Sequence, residues 1–138
     1  MLANGIKLEY STNAGSSYTD LTGLKEVPDM GSDPEKVDNT CLSDKVKQYE
    51  YGIGDYGDLE YKFKYENASD SSPYRVLRKL ADAKTVVKFK QTYPDKTTFT
   101  FDAQCNVKLG GGGVNGVIEF TLSLALQSEI EVTDPSND

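Results

Sequence analysis

The stretch Thr98-Phe99-Thr100-Phe101-Asp102-Ala103-Gln104-Cys105-Asn106-Val107-Lys108-Leu109 decides the fold. Phe99, Phe101, Ala103, Cys105, Val107 and Leu109 fall on one face and polar side chains fall between them. A period of two sustained over this length is a half-buried β-strand. Gly110 to Gly113 end it. Ile118, Phe120, Leu122, Leu124 and Leu126 then alternate with polar residues as a second long strand. A phosphate loop needs Lys-Ser or Lys-Thr and a helix after its glycines. Here Val114-Asn115-Gly116-Val117 and a strand follow, so the glycines read as a hairpin connection. The polar residues Thr133 to Asp138 read as a tail that frays.

Upstream, Val87 and Phe89 alternate with Lys88 and Lys90, and Tyr93-Pro94-Asp95-Lys96-Thr97 carries turn chemistry. Before that lies one helix, Pro73 to Lys84. Pro suits its first position, Ser72 is placed to cap it, and Tyr74, Leu77, Leu80 and Ala81 form its apolar stripe. From Tyr56 to Tyr65, Leu59, Tyr61, Phe63 and Tyr65 oppose Asp58, Glu60, Lys62 and Lys64, another strand. Ile6, Leu8 and Tyr10 open the chain as a strand, with Tyr18 to Leu21 as its hairpin partner and Leu24 to Val27 as a further short strand.

Residues 29–57 differ. Pro, Gly, Ser and charges dominate, and Val37, Thr40, Cys41, Leu42, Val46 and Tyr49 are too sparse for a core element. The reading is strand fragments flanking a long polar loop, and such loops in small domains are often functional. Six or seven strands with one helix, and three strands after it, predict a mainly β fold. The expected form is a β-sandwich or partly closed barrel with one flanking α-helix, in a single domain over 1–138.

Composition narrows the chemistry. The chain has 138 residues, no His and no Trp. Without His there is no His-based acid–base pair, and most transition-metal sites are lost. No Gly-x-Ser-x-Gly or Ser-x-x-Lys pattern occurs, so no catalytic residue, cofactor site or metal ligand is assigned. The net charge is −7, and all of the excess lies in the first half: residues 1–72 hold 14 Asp/Glu against 7 Lys/Arg, and residues 73–138 hold 8 of each. A nucleic-acid binder needs cations to displace counterions, so this balance argues against one. No apolar run is long enough for a membrane span, and Met1 to Gly5 does not resemble a signal peptide.

Asp55, Asp58 and Glu60 could suggest calcium, but their spacing is not that of the twelve-residue calcium loop, and a solvated strand edge is the better reading. Cys105 sits on an apolar strand face and reads as core, while Cys41 lies in the polar loop; free thiols are favoured for both. Asn67-Ala68-Ser69 matches a glycosylation acceptor by accident, since nothing marks secretion. Tyr49, Tyr51 and Tyr56 flank the long loop and suit either strand propensity or an interface, where Tyr is enriched.

In order, Leu24-Lys25-Glu26-Val27-Pro28-Asp29-Met30, the acidic loop, Tyr56 to Phe63, the helix Tyr74 to Leu80, the hairpin Val86 to Phe99 and the strand Val117 to Leu126 follow one pattern. Over roughly Leu24 to Ser128 this pattern resembles the tail tube (major tail) proteins of long-tailed, non-contractile bacteriophages. Secretion-tube proteins of contractile injection systems share that fold. The resemblance implies a non-enzymatic virion protein, made in the bacterial host cytoplasm, that self-assembles into hexameric rings stacked as a tube. It implies contacts with other tail proteins such as the tape measure and the terminator. DNA would pass through without specific binding, and no membrane or cofactor would be involved.

The long loop, about Gly31 to Gly54, maps onto the family's subunit-contacting loop. Lys36, Val37, Lys45, Val46, Tyr49 and Tyr51 are therefore the interface candidates. Glu26, Asp58 and Glu60 are the lumen candidates, because a DNA conduit should repel phosphate lightly. The competing reading is a small immunoglobulin-like or carbohydrate-binding β-sandwich module of a larger assembly. The helix and the long loop fit that less well, and the absence of Trp weakens a sugar-stacking platform.

Overall fold

The computed structural model describes residues 1–31, 34–54, 58–114 and 116–136. The elements are β1 (Lys7–Ser11), β2 (Thr19–Asp20), β3 (Leu24–Glu26), β4 (Lys36–Asp38), β5 (Tyr49–Tyr51), β6 (Leu59–Lys64), α1 (Pro73–Asp82), β7 (Val86–Thr92), β8 (Thr98–Leu109), β9 (Glu119–Leu126) and β10 (Glu131–Thr133). The mainly β fold with one helix is what the alternation predicts. One eight-stranded antiparallel sheet runs β2-β1-β7-β8-β9-β6-β3, with β10 on β8, and β4 and β5 form a separate two-stranded sheet.

The large sheet curls until its two edge strands, β2 and β3, are joined by three residues. Thr19 and Asp20 pair with Tyr10 and Glu9 of β1, and the Leu21 amide donates to the Leu8 carbonyl. A few residues later Leu24 and Glu26 pair with Phe63 and Lys62 of β6. One short segment thus bridges the two edges of the sheet. Gly23 sits where it changes partner, with φ +82°, and its carbonyl accepts from the Lys64 amide at 2.8 Å. A side chain there would be strained by that φ, while meeting Lys64 only at ordinary contact distance.

Closure explains the burial. Leu8, Tyr61, Phe63, Phe89, Phe101 and Phe120 are almost wholly hidden, although among the described residues a ten-residue helix is the only other layer over the sheet. Their strands contribute alternate residues to one interior, as the period of two requires. Phe63 stacks on Phe120 with ring centroids 5.1 Å apart, and Phe89 stacks on Phe101 at 6.1 Å. The helix covers β8: Leu77 is fully buried, and the Cys105 thiol donates to the Leu77 carbonyl at 3.7 Å. Burial raises the Cys105 pKa, so it is a core thiol, whereas Cys41 is exposed; both are free.

Three expectations need correction. Among the described residues four strands follow the helix, not three, and there are ten in all. The fourth is β10, and it includes Thr133, which the sequence placed in the fraying tail; Thr133 pairs with Thr98. β9 and β10 lie along β8 in succession: Leu126 opposes Ala103, the Gln127 amide reaches the Asp102 carbonyl, and Val132 opposes Phe99. Ser72 does occupy the N-cap position, but its hydroxyl does not cap the helix. It accepts instead from the Ala68 and Ser69 amides at 3.1 Å each, and so folds the preceding loop. Finally, Leu109 sits on the apolar face of β8, opposite the buried Phe120, but is itself exposed.

Candidate assembly interface

The segment between β3 and β6 is an arm. β4 and β5 pair as Lys36↔Tyr51, Val37↔Glu50 and Asp38↔Tyr49, with the two strands joined by residues 39–48. Every residue from Glu35 to Gly54 is exposed. The arm is held by its own hydrogen bonds. The Gly52 amide donates to the Glu35 carbonyl at 2.7 Å and the Asn39 amide to the Gln48 carbonyl at 2.9 Å. At the tip, the Thr40 hydroxyl donates to Asp38 Oδ1 at 2.6 Å, and the Gln48 amide donates to Thr40 Oγ1 at 2.9 Å. The Cys41 amide donates to Asp44 Oδ2 at 2.8 Å. The Asp38 carboxyl is held below its ordinary pKa by the Thr40 hydroxyl first and then by the Thr40 amide.

The arm is polar in composition yet presents apolar side chains to solvent. Val37, Leu42, Val46, Tyr49, Tyr51 and Ile53 are all exposed, Leu42 and Ile53 essentially completely. So many exposed large apolar side chains on one short segment suit an interaction surface. Among the interface candidates, Lys36, Tyr49 and Tyr51 share one face of the hairpin, since directly opposed residues point the same way. Val37 points to the other face with Glu50, and Lys45 and Val46 lie in the connecting residues. Tyr56, the third flanking tyrosine, lies outside the described residues.

A second exposed apolar group was not singled out in the sequence. Leu109, Val114, Val117 and Ile118 surround the glycine connection between β8 and β9. Gly110 is needed there: a Cβ would stand 3.0 Å from the Glu119 carbonyl, whose oxygen accepts from the Gly110 amide at 2.8 Å. Gly111 and Gly113 face open space. The alternation of Ile118 with the core of β9 hid this group, because it read as the start of the buried stripe.

The lumen candidates do not form one acidic cluster. Asp58 precedes β6 rather than lying in it, and Glu60 is on the outer face of β6 with Lys62 and Lys64. Glu26 faces Lys62, with Nζ and Oε2 3.8 Å apart. Nearby, Lys25 Nζ donates to Glu119 Oε1 at 2.6 Å, which holds the Glu119 carboxyl below its ordinary pKa. Asp55, part of the possible calcium set, lies outside the described residues. Among the described residues no cluster of three or more potential metal-ligating side chains forms, and no helix is long and apolar enough to cross a membrane.

Among the described residues, a curled antiparallel sheet with one helix, a projecting arm and exposed apolar groups is an architecture suited to contacts with other protein. Residues 9–134 match the family described as phage tail tube protein, TTP, and the chain belongs to that family. It is therefore a structural, non-enzymatic component of the virion tail. No curated relative matches the chain at significance. Among solved structures, it is similar to the tail of an empty gene transfer agent particle refined with C6 symmetry, with TM-score 0.72, 16% identity, and coverage of 96% of this chain and 99% of that one. It is also similar to a chain of the six-fold symmetrised baseplate of the anti-feeding prophage, with TM-score 0.67, 14% identity, and coverage of 97% and 95%. A chain of the phage P2 baseplate matches at TM-score 0.60 and 13% identity, with 94% of this chain and 46% of that one covered. At these identities the likeness is one of fold.

Proposed function

We propose that this protein assembles into hexameric rings that stack into the tail tube, and that DNA leaves through the lumen. The observation that carries the reading is the arm from Glu35 to Gly54, which is exposed throughout and presents six large apolar side chains. A ring with a neighbour above and below supplies the surface such an arm needs, and closed rings that also stack grow without limit. The six-fold symmetry of the similar tail and baseplate structures supports the ring number. Lys36, Tyr49 and Tyr51 form one contact face, with Val37 on the other and Lys45 and Val46 near the tip. Asp58 and Glu60 face the conduit, with Glu26 beside them. Tape measure and terminator proteins meet the tube inside and at its end.

Sedimentation velocity over rising protein concentration tests the reading. Species far above the 15.2 kDa monomer are expected. A monomer that persists at high concentration and with tail-assembly partners present would count against it.

A further inference from the structure

The arm and the glycine connection attach at opposite ends of the same pair of strands. Leu59, which follows the arm, opposes Leu124 of β9, and Lys64, at the other end of β6, opposes Glu119, which follows the connection. The six residues of β6 separate the two roots by roughly 17 Å at strand rise. Both apolar groups are exposed, so the arm does not fold back to cover the connection of its own chain. The glycines leave the connection low: nothing stands within 4 Å of where side chains would project from Gly111 and Gly113. The arm is a two-stranded hairpin with both outer edges unpaired among the described residues.

We propose that the arm of one copy seats on the β8–β9 connection of the next, a head-to-tail contact between unlike surfaces. The occupant is a second copy because each group is uncovered in its own chain and the two sit at opposite ends. A symmetric arm-to-arm dimer would cover one group and leave Val114, Val117 and Ile118 in water. A head-to-tail contact covers both and repeats from copy to copy. The hairpin's free edge meets a bare glycine backbone while Tyr49 and Tyr51 reach the valines. This inference rests on the tube reading and deepens it by naming the two surfaces that meet.

Cys41 makes the test direct, because it is an exposed thiol on the arm and Cys105 is buried. Val117→Cys, and separately Gly111→Cys, place a second thiol on the connection. Assembled protein is treated with a short bismaleimide and resolved under denaturing conditions. The expected result is a ladder of cross-linked multimers in either variant. None is expected in the parent chain, whose one exposed thiol is Cys41, or in either variant combined with Cys41→Ser. A ladder ending at six would place the contact within a ring, and a longer one would place it between rings; both support the head-to-tail contact. Tubes that form without a ladder in either variant would overturn this inference and leave the tube reading standing. Cross-linked dimers in the parent chain would overturn it in favour of arm-to-arm pairing. Failure of the parent chain to assemble would overturn both.

Discussion

The Tyr61 hydroxyl on β6 donates a 2.5 Å hydrogen bond to Gln91 Oε1 on β7, although β9 and β8 lie between those two strands in the sheet. In a flat sheet three strand spacings would hold them roughly 14 Å apart at the backbone. The bond therefore spans the barrel interior and reports its closure. Both residues are fully buried. Burial is the main cause that raises the Tyr61 pKa far above its ordinary value, so the phenol stays protonated and a donor. The Gln91 Nε2 has no partner in hydrogen-bond geometry among the described residues. Tyr93 feels it nonetheless: burial raises Tyr93 and the Gln91 amide lowers it in part.

Tyr61→Phe should therefore destabilise the domain by about 1–3 kcal/mol in urea denaturation, because it strands the buried Gln91 carbonyl as well. Gln91→Leu alone strands the phenol. The double variant Tyr61→Phe with Gln91→Leu should lose less than the two single losses added together, since both polar groups leave at once. Simple additivity would show that the pair is not coupled across the barrel.

Gly23→Ala tests the segment that closes the sheet. The backbone there has φ +82°, and the new methyl would meet Lys64 Cβ at 3.4 Å and the Lys64 backbone at 3.7 Å. A loss of about 1–3 kcal/mol is expected. Gly111→Ala, in open space, should change stability by no more than about 0.5 kcal/mol. Equal effects from the two would mean that the partner switch at Gly23 is not under steric constraint.

The barrel was legible where one face of a strand is wet and the other dry. β6, β7, β8 and β9 announce themselves through Tyr61, Phe63, Phe89, Phe101 and Phe120. Elements with no dry face were not. Lys36–Asp38 and Tyr49–Tyr51 are exposed throughout, so alternation carries no signal there, and the arm read as strand fragments around a loop. Glu131–Thr133 offers one apolar residue and becomes a strand only by pairing with β8. The sequence left a sandwich and a partly closed barrel both open, because closure depends on Thr19–Asp20 and Leu24–Glu26 finding partners on opposite edges of the sheet. Of the candidate site, the arm and its tyrosines were legible. The exposed group around Val117 was masked by its resemblance to the start of a buried strand.

Acid should loosen the arm tip before it affects the barrel. Asp38 is stabilised as a carboxylate by the Thr40 hydroxyl and amide, so its folded pKa lies below its ordinary 3.8. A depressed folded pKa contributes stability that is present above the unfolded value and lost as pH falls through the folded one. Amide exchange at Thr40 should therefore accelerate as pH drops below about 4, after correction for intrinsic rates, while Phe101 in β8 stays protected. In Asp38→Asn this pH dependence should vanish. Acceleration that survives that substitution would assign the effect to another carboxylate.

Removing the arm should separate folding from assembly. Replacing Lys36 to Tyr51 with a short Gly-Ser linker deletes residues that are all exposed, so urea denaturation should show little loss of stability. Sedimentation should show a monomer under conditions where the parent chain polymerises. An arm-less chain that still forms tubes would place the assembly surface elsewhere.

Charge reversal addresses the conduit. Asp58 and Glu60 are exposed, and a single charge pair in water is worth only ~1 kcal/mol at 4 Å, so Asp58→Lys with Glu60→Lys should fold normally. Symmetry would repeat the two lysines around the ring. Phage carrying the double variant should build tails of near-normal form and eject DNA slowly or not at all. Ejection at the parental rate would show that these side chains do not line the lumen.

If rings of this chain stack into a tube, its own surfaces must make the contacts. Electron microscopy of the purified protein at high concentration, with rotational averaging of end-on views, tests it most directly. Six-fold rings with an open centre, and side views of rings stacked into hollow tubes, are expected. Featureless monomers at every concentration, or closed assemblies without a central channel, would contradict it.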